Sequence, residues 1–288
     1  MRTILFIDGR NFKYNLGAFR FKFPDKGQKS EDCDDGEDYY RLDEKHFLWQ
    51  EFFNGIIEKF AKATGFNYRL IRVYWYNAGT IRPFEKNLIL AKSIVDMKRD
   101  EFSDLNTDKV IELAKDWYDK QRSYFYKAKE EIYEGIQRKI NFLEFKYTGE
   151  YVVRPFKVHK LQKNTDGSYF YQGTREGEKG VDVGIAVDMI SKMTNYDVAI
   201  LVSGDADFLP AVCHLKDNLK YVYQFSIAQG IPPNIKYLSP WLRGVVDVFQ
   251  YFDEVELLET YLNPKSIPSI INRVIEGHIK ELKKHNSS

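Results

Sequence analysis

The sequence predicts an α/β fold with a mostly parallel central sheet, and two observations carry that prediction. Two continuous apolar runs, Thr3 to Ile7 and Val198 to Val202, each stop at a turn that contains aspartate. Strands buried on both faces of a parallel sheet read this way. Segments with helical spacing of apolar residues lie between the strand-like runs, so strands and helices alternate with right-handed crossovers. That topology collects the carboxyl ends of the strands, and any ligand site, along one edge.

Taken in order, Thr3 to Ile7 is the first strand and ends in Asp8-Gly9. From Asp25 to Asp43 the chain is acidic, contains glycine and has few apolar residues, which predicts a mobile loop that flanks a site and does not line it. Phe47, Phe52, Ile56, Ile57 and Phe60 recur at helical spacing, and Gly65 stands where a C-terminal cap closes that helix. Tyr68 to Tyr76 alternates into a second strand. The charged span from Pro83 to about Phe145 predicts two or more helices, the second unusually long, as an insertion at about 83–147. Tyr151 to His159 reads as a third strand, followed by a turn at Asn164 to Ser168 and a strand-like Tyr169 to Tyr171.

Lys179-Gly180-Val181-Asp182 opens a helix whose apolar positions Ile185, Val187, Met189, Ile190 and Met193 are expected to pack on the sheet. Val198 to Val202 then runs straight into Ser203-Gly204-Asp205-Ala206-Asp207-Phe208. A helix from about Pro210 to Asp217, a strand from Tyr221 to Ile227, a helix over Leu238 to Val248 and a basic helix over Ile267 to Lys284 complete the prediction. The expected organisation is one domain over 1–255 carrying the helical insertion, with a C-terminal helix and tail over 256–288.

Composition narrows the function. Lys and Arg number 43 against 42 Asp and Glu, a formal charge of +1, so the chain lacks the overall basic excess of a simple nucleic-acid binder and any basic surface must be local. Cys33 and Cys213 are the only thiols, which argues against a disulfide framework or a cysteine zinc site and suits a reducing compartment. The first apolar run is too short for a signal peptide, and no stretch reaches the ~18 apolar residues of a membrane span. A soluble, cytoplasmic protein with no membrane partner is expected. It is compatible with a monomer or a homo-oligomer.

The chemistry concentrates in Asp8, Asp182, Asp205 and Asp207. Asp8 follows the first strand, Asp182 sits in the first turn of a helix, and Asp205 with Asp207 follows the strand at 198–202. Carboxylates gathered in a partly desolvated cleft repel one another, and a hard cation resolves the repulsion. Oxygen ligands select Mg²⁺ or Mn²⁺, which points to metal-assisted hydrolysis at a one-metal or two-metal site. Each residue also has a local reading: Asp8 as a turn residue before Gly9, Asp182 and Asp207 as helix caps, and Asp205 as part of a tight bend. Asp188 follows Asp182 by six residues, about 240° round the helix, and is assigned a supporting position. An aspartyl phosphatase would need an Asp where Arg10 stands, and no glycine-rich dinucleotide turn follows the first strand.

The segments FIDGRN (Phe6 to Asn11), KGVDVGIAVDM (Lys179 to Met189) and NYDVAILVSGDADF (Asn195 to Phe208) resemble the NYN domains, a branch of the PIN-like ribonuclease fold. The resemblance covers roughly 1–80 and 150–255. It implies a PIN-like three-layer sandwich and a Mg²⁺- or Mn²⁺-dependent endoribonuclease acting on single-stranded or structured RNA. It also implies that Asp8, Asp182, Asp205 and Asp207 are the catalytic metal ligands, with Asn11 and Ser203 supporting them. Lys179, beside a helix N-terminus, can hold a phosphate. Arg154 and Lys157 belong to a basic stretch, interleaved with aromatic residues, that suits RNA. A DNA-directed nuclease and a non-catalytic RNA-binding or scaffolding module on the same fold remain the alternatives.

Overall fold

The computed structural model describes residues 1–23, 39–230, 232–233 and 240–286. In chain order its elements are β1 Arg2–Asp8, α1 Gly9–Leu16, β2 Arg20–Lys22, β3 Tyr39–Arg41, α2 Trp49–Thr64, β4 Arg69–Asn77, β5 Thr80–Ile81, α3 Leu88–Lys98 and α4 Thr107–Lys127. There follow α5 Glu134–Gln137, β6 Leu143–Tyr147, β7 Glu150–Arg154, β8 Lys160–Lys163, β9 Tyr169–Gln172, β10 Thr174–Lys179 and α6 Val181–Ser191. The chain ends with β11 Val198–Val202, α7 Leu209–Asp217, β12 Tyr221–Ile227, α8 Pro240–Arg243, β13 Val248–Phe252, α9 Glu254–Glu256 and α10 Ser269–Asn286. These elements form two compact units, one of residues 1–76, 136–146 and 182–288, the other of residues 77–135 and 147–181.

The first unit is built on a six-stranded sheet ordered β13-β12-β11-β1-β4-β6. β1 pairs in parallel with both β11 and β4, and β12 pairs in parallel with β11 and β13. The two runs expected to be fully buried are so, since every residue of β11 and six of the seven in β1 are buried, and six of the seven in β12 are buried as well. Backbone groups of these strands are satisfied by their neighbours, and branched side chains fill both faces.

One face carries a dense aromatic core. Phe12 of α1 meets Trp49, Phe52 and Trp75 edge-on or tilted, and Phe52 in turn packs on Phe225, Phe252 and Tyr261. Burying each such ring contributes roughly 1.5–3 kcal/mol, and tilted ring pairs add about 0.5–1.5 kcal/mol. Much of the aromatic content therefore serves packing. Gly55 on α2 is needed because a Cβ there would collide with the Tyr261 hydroxyl, and Gly65 closes α2 in the left-handed conformation at φ 74°, as expected.

The second unit holds α3 and α4 against small sheets. β7 pairs in parallel with β5 and antiparallel with β10, and β8 with β9 forms an antiparallel hairpin. Ala91, Ile94, Val110, Ala114, Trp117, Val153, Leu161 and Tyr171 make its core. The long second helix is present: α4 continues through a π-helical stretch, Ala128–Tyr133, into α5. Asn87 and Asn106 cap α3 and α4 through their side-chain oxygens, which is why the helices start there.

Several expectations change. The strand expected over 151–159 is β7, ends at Arg154 and lies in the three-stranded sheet of the second unit. Residues 136–146 return to the first unit, where β6 adds an edge strand. The helix expected over 238–248 is only α8, and its last residue starts β13. Val187, expected to pack on the sheet, is 57% exposed. Of the acidic segment 25–43, residues 25–38 lie outside the described residues, whereas Tyr39–Arg41 is a strand paired with β2. Among the described residues no helix is long and apolar enough to cross a membrane.

Candidate active site

Asp8 is both the last residue of β1 and the N-cap of α1. Its Oδ1 accepts from the Asn11 backbone N–H at 3.0 Å, and its Oδ2 accepts from the Ser203 hydroxyl at 2.9 Å. The turn reading and the site reading of Asp8 are therefore the same geometry: the capping bond fixes the carboxylate at the strand end. Ser203 follows β11, and its oxygen accepts from the Asp205 N–H at 3.1 Å. Since a hydroxyl has one proton, that proton is committed to Asp8.

Asn11 ties the same two strand ends together. Its side-chain oxygen accepts from the Gly204 N–H at 3.1 Å and from Asn15 Nδ2 at 3.3 Å. Beneath the turn, buried Gln224 of β12 donates to the Ser203 carbonyl at 2.9 Å. Asp8, Asn11 and Ser203, expected to act together, are joined by direct hydrogen bonds. Gln224, Asn15 and Gly204 were not anticipated. A glutamine inside the largely apolar and aromatic strand YVYQFSI was the available signal, because a fully buried amide is expected to hydrogen-bond, as Gln224 does through its amide nitrogen.

Electrostatics locate the other carboxylates. Burial pushes the Asp8 carboxyl up to about 6, against the lowering effect of its bonds to Asn11 and Ser203, and the charges of Asp182 and Asp205 push it further in the same direction. Asp8 is 4% exposed, whereas Asp182 and Asp205 are half-buried. Asp182 lies in the first turn of α6, where the helix dipole favours a carboxylate. Asp205 caps the 3-10 turn Ala206–Phe208 by accepting from the Asp207 N–H at 3.0 Å. The cap is thus Asp205, and Asp207 supplies the bonded N–H while its side chain is exposed.

Asp188 is occupied in its own network. It accepts from the Tyr76 hydroxyl at 2.8 Å and pairs with Lys192 at 2.5 Å. Burial and the hydrogen bond to Asp188 hold the Tyr76 phenol far above its ordinary range. Lys192 also lies over the Tyr74 ring, at 5.4 Å, so Asp188 anchors α6 to β4. Arg154, Lys157 and Lys179 are exposed and belong to the second unit. Arg154 pairs with Glu176 at 3.1 Å. Other basic residues there are engaged too: Lys129 lies 4.0 Å from the Tyr147 ring centroid, and Lys163 pairs with Asp104.

The donor set at the sheet edge is made of carboxylate oxygens, which suits a hard divalent cation in kind. Among the described residues no three His, Cys, Asp or Glu side chains are gathered closely enough to form a complete protein cage. Such a set fits an ion of the Mg²⁺ type, which keeps several waters and takes one or two carboxylates together with substrate phosphate.

The fold defines an α/β class, with a largely parallel sheet whose carboxyl edge carries Asp8 bonded to Ser203 and, through that hydroxyl, to the Asp205 backbone. The chain belongs to the NYN domain family, a family of nucleases; the family match spans residues 94–239, half of the chain. Asp182, Ser203, Asp205 and Asp207 fall inside that span. Asp8 and Asn11 precede it and join it through their bonds to Ser203 and Gly204. No curated protein matches the chain. It is similar to the crystal structure of a protein of unknown function from Vibrio parahaemolyticus, at 17% identity over 91% of this chain and 95% of that one, with a TM-score of 0.39.

Proposed function

We propose that the protein is a divalent-metal-dependent ribonuclease that hydrolyses RNA phosphodiesters, endonucleolytically, at the edge formed by Asp8, Asp182 and Asp205, with Asp207 as an outer ligand. The observation that carries this reading is the state of Asp8: a buried carboxylate, capped and hydrogen-bonded in place, whose ionisation is opposed by two carboxylates from two other segments. A bound Mg²⁺ or Mn²⁺ would offset that repulsion and supply charge stabilisation to the transferring phosphoryl group.

The remaining work belongs to the chain. Asn11 and Ser203 hold Asp8 in one rotamer, so little reorganisation is needed when substrate arrives. Asp205 is held by its own capping bond to Asp207 N–H. A bound cation would hold Asp8 ionised, and the carboxylate could then orient, through an accepted hydrogen bond, the water that attacks phosphorus in line with the leaving oxygen.

The test is cleavage of a fluorescent RNA by the purified chain in Mn²⁺. Asp205→Asn should abolish cutting and leave the unfolding transition in place. Cutting that survives EDTA, or survives in that variant, would sink the mechanism. A non-catalytic RNA-binding module is the second reading, favoured by the incomplete protein cage among the described residues. It predicts salt-sensitive RNA binding with no cleavage across a panel of divalent metals.

A further inference from the structure

The helix α8 lies beside the catalytic edge and carries a side chain that packing does not explain. It packs against the 3-10 turn Ala206–Phe208, the turn that Asp205 caps and Asp207 begins. Trp241, the second residue of α8, is 72% exposed. Trp49, Trp75 and Trp117 are all buried. An indole left in water forfeits one of the largest apolar burials a side chain can offer.

A second observation gives the occupant's charge. Arg243, at the other end of α8, lays its guanidinium over the Phe249 ring at 5.5 Å, and its Nε is buried without a hydrogen-bond partner. The neighbouring Asp247 is occupied by Lys216 at 2.8 Å and by the Val222 N–H. Among the described residues Arg243 has no carboxylate partner. An exposed indole and an unneutralised guanidinium next to a carboxylate turn suit a polyanion that also presents flat apolar rings. Single-stranded nucleic acid has both properties, because its unpaired bases are free to stack, whereas duplex bases stack on one another.

We infer that Trp241 is a stacking platform for an unpaired base of a single-stranded RNA, with Arg243 contacting the adjacent backbone phosphate, so that α8 feeds the strand past Ala206–Phe208 into the carboxylate site. This rests on the ribonuclease reading and deepens it, by making the substrate single-stranded.

The probe is oligo(U) RNA added to the full chain in EDTA, which keeps binding separate from cleavage. Trp241 is the exposed tryptophan, so stacking should quench intrinsic fluorescence with saturation, and a blunt duplex should not. Trp241→Ala should abolish the quench and weaken binding by fluorescence anisotropy about tenfold, the order expected for loss of one stacked base. Trp241→Phe should keep most of the affinity while losing the signal. Arg243→Gln should flatten the dependence of log affinity on log salt by about one counterion. Binding of oligo(U) without quench, with equal affinity in Trp241→Ala, would overturn the inference, and RNA cleavage in Mn²⁺ by that same variant would leave the ribonuclease reading intact. Neither binding nor metal-dependent cleavage by the wild-type chain would overturn both.

Discussion

Burial makes the ionised form of Asp8 costly to the fold, although its carboxyl caps α1 and accepts from Ser203. In the folded chain its carboxyl titrates at about 6, against 3.8 for the ordinary group, with burial as the largest cause. The sign follows from linkage. Below pH 3.8 both folded and unfolded chains carry the proton, and Asp8 imposes no penalty. Between 3.8 and about 6 the unfolded chain releases its proton first, and stability falls as pH rises. Above about 6 the penalty is complete, and at 1.36 kcal/mol per pH unit the gap corresponds to about 3 kcal/mol.

Asn is the isostere of the protonated carboxyl. Asp8→Asn should therefore stabilise the protein near pH 8 by up to about 3 kcal/mol, which is about 6–12 °C in Tm for a chain of this size. The gain should vanish near pH 4, where the wild-type carboxyl is already neutral. The same variant should lose RNA cleavage, and added Mn²⁺ should raise the Tm of the wild type without raising that of the variant. Urea unfolding followed by tryptophan fluorescence across this pH range measures the difference. A variant less stable than wild type at pH 8, or a difference that ignores pH, would refute the argument that Asp8 is held ionised at a cost.

Other perturbations separate the roles of neighbouring residues. Ser203→Ala removes the hydroxyl that donates to Asp8 and so favours its neutral form. The acid limb of the pH–rate profile should move to higher pH, and a limb that stays in place would show that Ser203 does not tune Asp8. Gly149→Ala places a Cβ at φ 67° and into the Lys179 carbonyl. It should cost several kcal/mol, at the upper end of single-residue effects, seen as a drop in the urea midpoint; a midpoint within error of wild type would contradict the close approach of these two backbones.

The sequence by itself determined the strands that carry the site. β1 and β11 are built on continuous apolar runs bounded by turns, and that signal is local, so the end of each run, and with it Asp8 and Asp205, could be placed from the residues alone. The opening of α6 at Asp182 was legible for the same reason. Tertiary structure decided what depends on partners distant in the chain. Val248–Phe252 is rich in β-formers but shows no alternation and is half-buried along most of its length, so its place as an edge strand was set by pairing with β12. β7 has the composition of a sheet strand, but composition does not say which sheet; pairing with β5 and β10 does. The bond from Ser203 to Asp8 spans 195 positions, and the Asp8 carboxyl is raised chiefly because folding buries it, with the charges of Asp182 and Asp205 adding to the effect. Residue types named a candidate site. Its hydrogen bonds, its electrostatic strain and the exposure of Trp241 beside it come from packing, which no local pattern encodes.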